Sequence, residues 1–442
     1  MRSLLTVSLL LAGLIAGGPA LAAPEDPAPA FDRAADPVRT TEPDGALGDL
    51  LPFGRAVGSA SVISVGEATH SSREFVTMQH RLFRYLATHK GFDTFAREMS
   101  WSTGVRLDDY VLHGTGDPGA IMSAEFDAFY QVFDNAEFLD LLHWMREYNR
   151  THTHKLRFMG NDLSFPGPVL FEKVTGYVAA RHPELREAVE HLYAGMAPAP
   201  GTSLNEYMAI QTGKSLSERE ALAARAKAVV NLLRAAGPGE SRAEFDWAVQ
   251  HANALAQSFR EYAFDTNTEQ GRTEAGRYRD QVMAENTEWW YRHRPGGIVV
   301  SNMAAHASYV PIDPELAPEP ASAHLRKRLG PAFRTVGFSF HDGSFNAKGP
   351  DEKYRSFTLG APRAEQNEYT LDKVAGKDYF LDLRTLPAGA AAWLKTARPT
   401  RTIGGGFDPG APHAGELRVP LGRSYDMLFH FHHVHAAELR FG

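Results

Sequence analysis

A short apolar run early in the chain ends abruptly in a group of polar residues. The run spans residues 61–65 and stops at Gly66, and Glu67 and His70 follow within four residues. Residues 73–89 then carry apolar side chains at steps of three and four, which indicates an amphipathic helix. A buried strand followed by a polar turn and a helix is typical of an α/β protein, in which ligands bind beyond the carboxyl ends of the strands. Glu67 and His70 are therefore the first candidates for a functional site.

Three further predicted strands end in the same way, at Glu98, at Asp162 and just before His306. These strands are predicted over residues 92–98, 156–162 and 296–302. Because strands joined by helical crossovers run parallel, their carboxyl ends meet at one edge of the sheet. The sequence therefore predicts that Glu67, Glu98, His70 and His306 lie in one cleft.

The alternation of strands and helices predicts an α/β fold with a mostly parallel sheet and helices on both faces. Between the third and fourth strands, residues 168–293 form a long helical tract, which exceeds an ordinary crossover and is predicted to be a cap over the site. Additional strands are expected over residues 335–340, 379–383 and 426–432. We expect residues 46–442 to form one domain of this type.

Composition excludes several classes of function. With 442 residues, 43% of them hydrophobic, the chain is long and apolar enough to bury a large core. Its formal net charge of −7 gives no basic surface for DNA, RNA or anionic membranes. The absence of cysteine from the sequence excludes disulfides, a thiol nucleophile and thiolate metal ligands.

The first 45 residues are predicted to lie outside the domain. Residues 1–22 combine a basic start, an apolar run of about 14 residues and a small-residue cleavage site, which is typical of a secretory signal peptide. The run is shorter than the roughly 20 residues that a membrane helix needs. We therefore expect an exported protein, secreted or periplasmic, without a membrane span. Residues 23–45 are rich in proline, alanine and acidic residues, which predicts a flexible linker.

Two carboxylates and two imidazoles at one sheet edge favour general acid–base activation of water. His70 is the candidate base, and either Glu67 or Glu74 is placed to orient it, being three residues before and four residues after it. Glu98 and His306 complete the predicted catalytic set, although Glu98 is also placed to pair with a neighbouring arginine. Four residues near the same rim are predicted to bind substrate: Arg73, Glu74, Trp101 and Asp162.

Histidine pairs at alternating positions raise the possibility of a metal, but no carboxylate close in sequence completes a recognisable site. The pairs are His152 with His154, His430 with His432, and His433 with His435. Neither a Gly-x-Ser-x-Gly elbow nor a His-Glu-x-x-His motif occurs in the sequence. We therefore predict no metal and no cofactor. A metal-dependent hydrolase that uses the same Glu/His cluster, and a binding protein without turnover, remain the alternatives.

Several short motifs, taken in order from about residue 50 to 435, resemble those of the erythromycin esterase family. They are Gly66-Glu67-Ala68-Thr69-His70, Gly91-Phe92 leading to Glu98 and Trp101, Trp144-Met145-Arg146-Glu147-Tyr148-Asn149, Gly160-Asn161-Asp162, Arg279-Asp280, His306 and Gly337-Phe338-Ser339-Phe340. The resemblance implies an α/β fold with a helical cap and hydrolysis of an ester by directly activated water, without an acyl-enzyme. In macrolide-inactivating members the bond cleaved is the macrolactone. By matching positions, His70 would be the base, Glu67 and Glu98 its partners, and His306 a second site histidine.

Three positions depart from the pattern that the family usually shows. Ser71 follows the first histidine where glycine is usual, and Gln79 stands where an arginine is frequent. Met303 takes the place of the first histidine in a common His-Asn-x-His pattern, so that only His306 remains. We therefore expect a broader substrate class than macrolactones, namely an ester or lactone of a fairly large, partly apolar molecule.

Overall fold

The computed structural model describes residues 26–127 and 130–441. The predicted signal peptide at residues 1–22 lies outside the described residues. Among the described helices, none is long and apolar enough to cross a membrane.

A nine-stranded, mostly parallel sheet forms the centre of the described chain. Its strands, in chain order, are β1 (Asp36–Pro37), β2 (Val62–Glu67), β3 (Phe92–Ser100), β4 (Arg157–Asp162), β5 (Gly297–Met303), β6 (Phe333–Lys348), β7 (Tyr354–Leu359) and β8 (Tyr379–Asp382), then β11 (Met427–Val434) after the small separate pair β9 (Arg398–Thr400) and β10 (Leu417–Val419). The order across the sheet is β1-β8-β11-β6-β2-β5-β3-β4, and β7 pairs with the extension of β6. The predicted α/β fold is confirmed.

Six adjacent strands, from β11 to the edge strand β4, run parallel; β8 pairs antiparallel with β11, β1 antiparallel with β8, and β7 antiparallel with β6. Strand β5 lies between β2 and β3, so the fourth predicted strand separates the first two. Its register aligns Glu67 at the end of β2 with Met303 at the end of β5. Neighbouring strands therefore deliver their exit loops to the same edge, as parallel strands do.

Helices cover both faces of this sheet. They are α1 (Ala28–Ala34), α2 (Leu51–Val57), α3 (Arg73–Lys90), α4 (Trp101–His113), α5 (Pro118–Glu125), α6 (Ala136–Thr151), α7 (Pro168–Arg181), α8 (Arg186–Tyr193), α9 (Leu204–Thr212), α10 (Leu216–Ala236), α11 (Arg242–Tyr262), α12 (Glu269–His293), α13 (Ala304–Ala307), α14 (Ala321–Leu329), α15 (Asn367–Leu371), α16 (Ala388–Lys395) and α17 (Leu421–Ser424). Helices α7–α12 fill the long interval between β4 and β5, where the sequence predicts a helical cap. Their position brings Glu261 near the end of α11 and Arg279 in the middle part of α12 to the carboxyl edge of the sheet.

The beginning of the described chain differs from the predicted linker over residues 23–45. Residues 28–34 form α1, and Phe31 is fully buried, with its ring edge-on to Trp393 at 5.7 Å. Strand β1 then pairs with β8 at the edge of the sheet. The average composition of this segment, rich in proline, alanine and acidic residues, predicts a solvated linker. Burial of one aromatic side chain and pairing of one short strand instead order it against the domain.

Two glycines allow helix α4 to lie directly against strand β4. A side chain at Gly104 would place its Cβ 2.0 Å from the backbone nitrogen of Gly160. A side chain at Gly160 would meet the carbonyl oxygen of Ser100 at 2.1 Å. Since Cβ atoms do not approach backbone this closely, glycine is required at both positions, and this contact positions the exit loops of β3 and β4.

Candidate active site

A cleft of about 1030 Å³ opens at the carboxyl edge of the parallel strands. The strand exits and the cap form one wall, and the segments 348–359 and 400–417 form the other. Ile403 in the second segment donates its backbone N–H to the carbonyl oxygen of Ala68 at 2.6 Å, which fixes that wall beside His70. Polar residues on the cleft wall include His70, Glu98, Tyr130, Ser164, Glu261 and Arg279.

His70 is held by Glu67 at the end of β2. The carboxylate oxygen Oε1 of Glu67 lies 2.7 Å from Nδ1 of His70, and Glu67 is only 1% exposed. The ring of Phe133 meets the imidazole edge-on at 5.0 Å. Because Nδ1 is engaged with a carboxylate, Nε2 is the nitrogen available to accept a proton in the cleft. Of the two glutamates that the sequence offers as partner of His70, the structure selects Glu67.

A guanidinium lies beside Glu67 even though position 79 is a glutamine. Gln79 donates its side-chain amide to Oε2 of Glu67 at 2.8 Å. Arg97 on β3 places one terminal nitrogen 3.6 Å from Oε1 of Glu67, and its guanidinium stacks over Phe133 at 4.0 Å. Arg97 is fully buried within this group. The cation that the family pattern suggests at position 79 is thus supplied from β3, which is separated from β2 by β5.

Glu98 links the strand exits to the cap. Its Oε1 accepts a hydrogen bond from Arg279 at 2.9 Å and lies 3.4 Å from Nε2 of His306, and its Oε2 accepts the backbone N–H of Met303 at 2.8 Å. Burial by itself would raise the pKa of Glu98, but His306, Arg279 and His70 outweigh it and lower the pKa to about 2. Glu98 is therefore a carboxylate at neutral pH and has Arg279, not Arg97 or Arg73, as its hydrogen-bonded arginine.

His306 lies beside Glu98 but beneath the cleft surface. It is fully buried on α13, and its Nδ1 lies 2.9 Å from Oδ1 of Asp280 on α12. Burial lowers the pKa of His306, but Asp280 and Glu98 outweigh it and raise the pKa above its ordinary value. The predicted association of His306 with Glu98 is present. His306 is not among the described residues that line the cleft, but its Nε2 lies 3.4 Å from both Glu98 and Arg279, which do line it, and this position suits a residue that positions these two.

Arg279 bridges the two carboxylates at the ends of β3 and β4. In addition to Glu98, it donates to Asp162, with Nη2 2.6 Å from Oδ2 and Nε 3.2 Å from Oδ1. Its side chain is 21% exposed, whereas that of Asp162 is fully buried. A guanidinium already neutralises these carboxylates, so they do not need a metal ion to be stable in the interior. Asp162 thus acts through Arg279, since it is not among the described residues that line the cleft.

A second polar group on the cleft wall comes from the cap and the end of β4. Tyr130 donates its hydroxyl hydrogen to Oδ2 of Asp162 at 3.1 Å, and the same hydroxyl oxygen lies 3.4 Å from that of Ser164. Ser164 has a positive φ of 76°, a conformation that non-glycine residues rarely adopt and that recurs at functional sites. Burial, with the charge of Asp162, raises the pKa of Glu261 to about 8. At neutral pH this carboxyl group is therefore mainly protonated and can donate a hydrogen bond into the cleft.

Three of the residues predicted to bind substrate lie elsewhere. Arg73 pairs with Glu42 at 2.6 and 2.9 Å. Glu74 accepts the backbone N–H of His435, and its other carboxylate oxygen lies 2.8 Å from Nδ1 of the same histidine. Trp101 packs edge-on against tryptophans of the cap and donates its indole N–H to a histidine of α11 at 3.2 Å. These contacts give each residue a structural partner away from the described lining of the cleft, so the predicted binding role is not supported.

Among the polar residues on the cleft wall, Ser164, Arg279 and Glu261 were not singled out by sequence reasoning, and the last two lie in the cap. Both reach the cleft from cap helices that have no fixed sequence distance to the strand exits. The only signal for Arg279 was its place in the Arg279-Asp280 motif, and Glu261 had none.

The sequence offers no carboxylate close to the histidine pairs, but folding brings carboxylates to two of them: His432 meets Asp372, and in the pair His433 and His435 the first meets Asp342 and the second Glu74. Asp372, 60 residues before His432, places Oδ1 2.7 Å from Nδ1 of that histidine. Folding brings the two together because β11 returns beside the segment that follows α15. Sequence proximity could not have revealed this pairing.

Comparisons with known proteins agree with this architecture. The sequence model of the family described as Erythromycin esterase matches residues 87–434. A 127-residue stretch is 30% identical to the erythromycin esterase type II of Escherichia coli, and the match spans 29% of this chain and 29% of that relative.

Solved structures extend the similarity to nearly the whole chain. A Bacillus cereus protein superposes with a TM-score of 0.85 at 28% identity, over 94% of this chain and 98% of its own. A protein described as a succinoglycan biosynthesis protein gives 0.82 at 27% identity, over 94% and 99%. A mutant of the erythromycin esterase EreC in its open conformation gives 0.66 at 16% identity, over 91% and 98%, which shows a common fold.

Proposed function

Because the chain belongs to the erythromycin esterase family, we propose that it is a hydrolase that cleaves an ester or lactone with water activated by His70. The observation that carries the proposal is the pairing of His70 with Glu67, 2.7 Å apart, on the wall of the same cleft as Glu98 and Arg279. A base held by a carboxylate and a cation facing the same space are the groups that hydrolysis of a carbonyl compound requires.

The proposed reaction proceeds in two steps. His70 Nε2 accepts a proton from a water molecule while the water oxygen attacks the carbonyl carbon, and Glu67 stabilises the resulting imidazolium. The partly exposed guanidinium of Arg279 donates to the oxyanion of the tetrahedral intermediate. The C–O bond to the alcohol then breaks, and the alcohol oxygen takes the proton from His70. The products are one carboxylic acid and one alcohol, or a single hydroxy acid when the substrate is a lactone.

In this proposal the remaining charged residues are positioning residues. Glu98 and Asp162 hold Arg279 by hydrogen bonds of 2.9 and 2.6 Å. His306, itself held by Asp280, supports Glu98 from beneath the surface. This division of roles places one base and one cationic donor on the cleft wall, with Glu98 beside the donor and Asp162 and His306 buried behind it.

The volume of the cleft favours a large substrate. About 1030 Å³ lies at the upper end of the range for small-molecule sites, about 300–1,000 Å³. Two of the similar proteins are erythromycin esterases, and one solved structure is described as a succinoglycan biosynthesis protein. We therefore propose two substrate classes for testing, macrolactones and O-acyl esters of carbohydrates. The signal-like residues 1–22 support an exported enzyme that meets such molecules outside the cytoplasm.

Incubation of the purified protein with a panel of macrolactones and O-acylated oligosaccharides in ¹⁸O-labelled water tests the proposal. We expect one substrate to give a hydroxy acid, or an acid and an alcohol, with one ¹⁸O in the carboxylate, as measured by mass spectrometry. The intact mass of the protein should stay unchanged during turnover. A covalent acyl adduct on the protein would contradict the mechanism, and absence of hydrolysis across the panel would contradict the proposed activity.

A further inference from the structure

We propose that His341, Asp372 and His432 form a site for a divalent transition-metal ion of the zinc type, separate from the cleft. Each residue offers one ligand atom, and these atoms lie within 4.8 Å of one another. Two imidazole nitrogens and a carboxylate oxygen form a ligand set that Zn²⁺ prefers. No catalytic role proposed above involves these residues.

Three separate parts of the chain converge at this site. His341 lies on β6, His432 lies on the neighbouring strand β11, and Asp372 directly follows α15. The two imidazole rings are stacked, with centroids 5.1 Å apart and planes inclined by 18°. Oδ1 of Asp372 lies 2.7 Å from Nδ1 of His432, and Oδ2 lies 3.7 Å from Nε2 of His341. Ligand atoms of one zinc ion are about 3–4 Å apart, so a small rotation of the histidine rings brings the three ligands onto one ion, and water would take its fourth position.

The polar atoms around the site are incompletely satisfied within the described chain. Nδ1 of His341 is buried and makes no hydrogen bond to a described residue, although an oxygen of Asp342 is 3.2 Å away. With Nε2 bound to an ion, Nδ1 would carry the proton and face this carboxylate, the arrangement that metal-binding histidines commonly have. His430, fully buried, places Nε2 3.4 Å from Oδ1 of Asp372 and has Nδ1 held by Ser339 at 3.1 Å. It is an imidazole oriented toward the ligand carboxylate, as metal sites commonly contain.

A lysine competes with the ion for the carboxylate. Nζ of Lys377 lies 3.0 Å from Oδ2 of Asp372, and Lys377 itself has a positive φ of 59°. Its ammonium neutralises Asp372 when no metal is bound and has to move when an ion binds. The side chain of Lys377 is half exposed, so it can turn into solvent. Removal of this ammonium should therefore strengthen metal binding, which a cluster of ordinary ion pairs would not show.

The site is connected to the cleft wall but does not open into it. The carbonyl oxygen of His341 accepts a hydrogen bond from Arg401, and Arg401 lines the cleft. His432 is partly exposed to solvent on the other side, which gives the ion an entry path. An ion here would join β6, β11 and the end of α15, and would thereby stabilise the wall that contains Arg401. We infer a structural ion, not a participant in the hydrolysis.

The test is a Zn²⁺ titration of full-length protein without an affinity tag, after treatment with a chelator, by competition with a chromogenic chelator. We expect one Zn²⁺ per chain and a melting temperature that rises by about 3 °C at a hundredfold excess over the dissociation constant. Asp372→Asn and His432→Ala should each weaken binding by at least about tenfold, and Lys377→Gln should tighten it. His154→Ala, which removes an exposed histidine of another alternating pair, is the matched control and should bind Zn²⁺ like the wild type.

Two results would overturn the assignment. The first is equal Zn²⁺ affinity in the wild type, Asp372→Asn and His432→Ala, since the ion would then bind elsewhere. The second is the absence of stoichiometric binding in both the wild type and Lys377→Gln up to about 100 µM Zn²⁺, a concentration well above the affinities of protein zinc sites. Circular dichroism of each variant shows that it is folded, and the partly exposed His432 provides a variant that tests the site even if Asp372→Asn does not fold.

Discussion

Replacement of Arg279 by methionine tests the charge balance at the centre of the site. The guanidinium makes hydrogen bonds of 2.9 Å to Glu98 and 2.6 Å to Asp162, and both carboxylates are buried. Methionine keeps much of the side-chain volume but leaves two negative charges without their common cation. Breaking a buried ion pair in this way costs about 3–5 kcal/mol of unfolding free energy. We therefore expect Arg279→Met to be destabilised by about that amount at pH 7.

The pH dependence of this loss gives the sharper test. In the wild type, Glu98 has a pKa of about 2 in the folded chain, below its ordinary value, so its contribution to stability is present above about pH 5 and is lost toward pH 2. Without Arg279, burial raises the pKa of Glu98, and protonation near pH 5 relieves the unpaired charge. The difference in unfolding free energy between wild type and variant should therefore be smaller at pH 5 than at pH 7.

Urea unfolding followed by circular dichroism at the two pH values measures this difference. The matched control is Arg328→Met, which removes a half-buried arginine that pairs with Glu285 and Glu288 at 3.2 and 2.9 Å. Since surface ion pairs contribute about 0–1 kcal/mol, this control should change stability little at either pH. An Arg279→Met loss below about 1 kcal/mol, or an equal loss at pH 5 and pH 7, would refute the electrostatic account of the site.

Three further predictions concern neighbouring residues. Asp280→Asn removes the carboxylate 2.9 Å from His306, which helps to raise the pKa of that histidine, so the pKa should fall and the alkaline limit of activity should move to lower pH; an unchanged pH–rate profile would argue against a protonated His306. Glu261→Gln should raise the melting temperature above that of the wild type by more at pH 8 than at pH 5. With a folded pKa of about 8, Glu261 increasingly destabilises the fold as pH rises above its ordinary pKa, because the unfolded chain ionises first; equal shifts at both pH values would count against this. Gly104→Ala should cost about 1–3 kcal/mol of stability, since its Cβ would lie 2.0 Å from backbone, and wild-type urea unfolding would show that the close approach is not required.

The strand exits could be predicted from sequence because each is a local pattern. A buried apolar run that stops at Glu67 or Glu98 indicates both the strand and the edge at which the carboxylate emerges. Because the strands are parallel, their carboxyl ends lie at one edge of the sheet whatever the strand order. The strand order itself, with β5 between β2 and β3, requires the tertiary structure.

The residues that sequence reasoning missed share a different property. Arg279 and Glu261 belong to cap helices, and no periodic pattern indicates which turn of such a helix faces the cleft formed by distant strand exits. Asp372 meets His432 only because β11 returns to the sheet next to β6. In reverse, Arg73, Glu74 and Trp101 are close in sequence to the strand exits, but one turn of helix is enough to rotate them toward other partners.

His70 is the residue on which the proposed mechanism depends most directly. In His70→Asn, the shorter amide can still contact Glu67 but lacks the Nε2 base. With a substrate found in the product screen, kcat should fall at least a hundredfold, while the melting temperature and substrate affinity stay near those of the wild type, and His154→Asn should retain wild-type turnover. A folded His70→Asn protein that keeps more than about a tenth of the wild-type kcat would contradict the role of His70 as the general base.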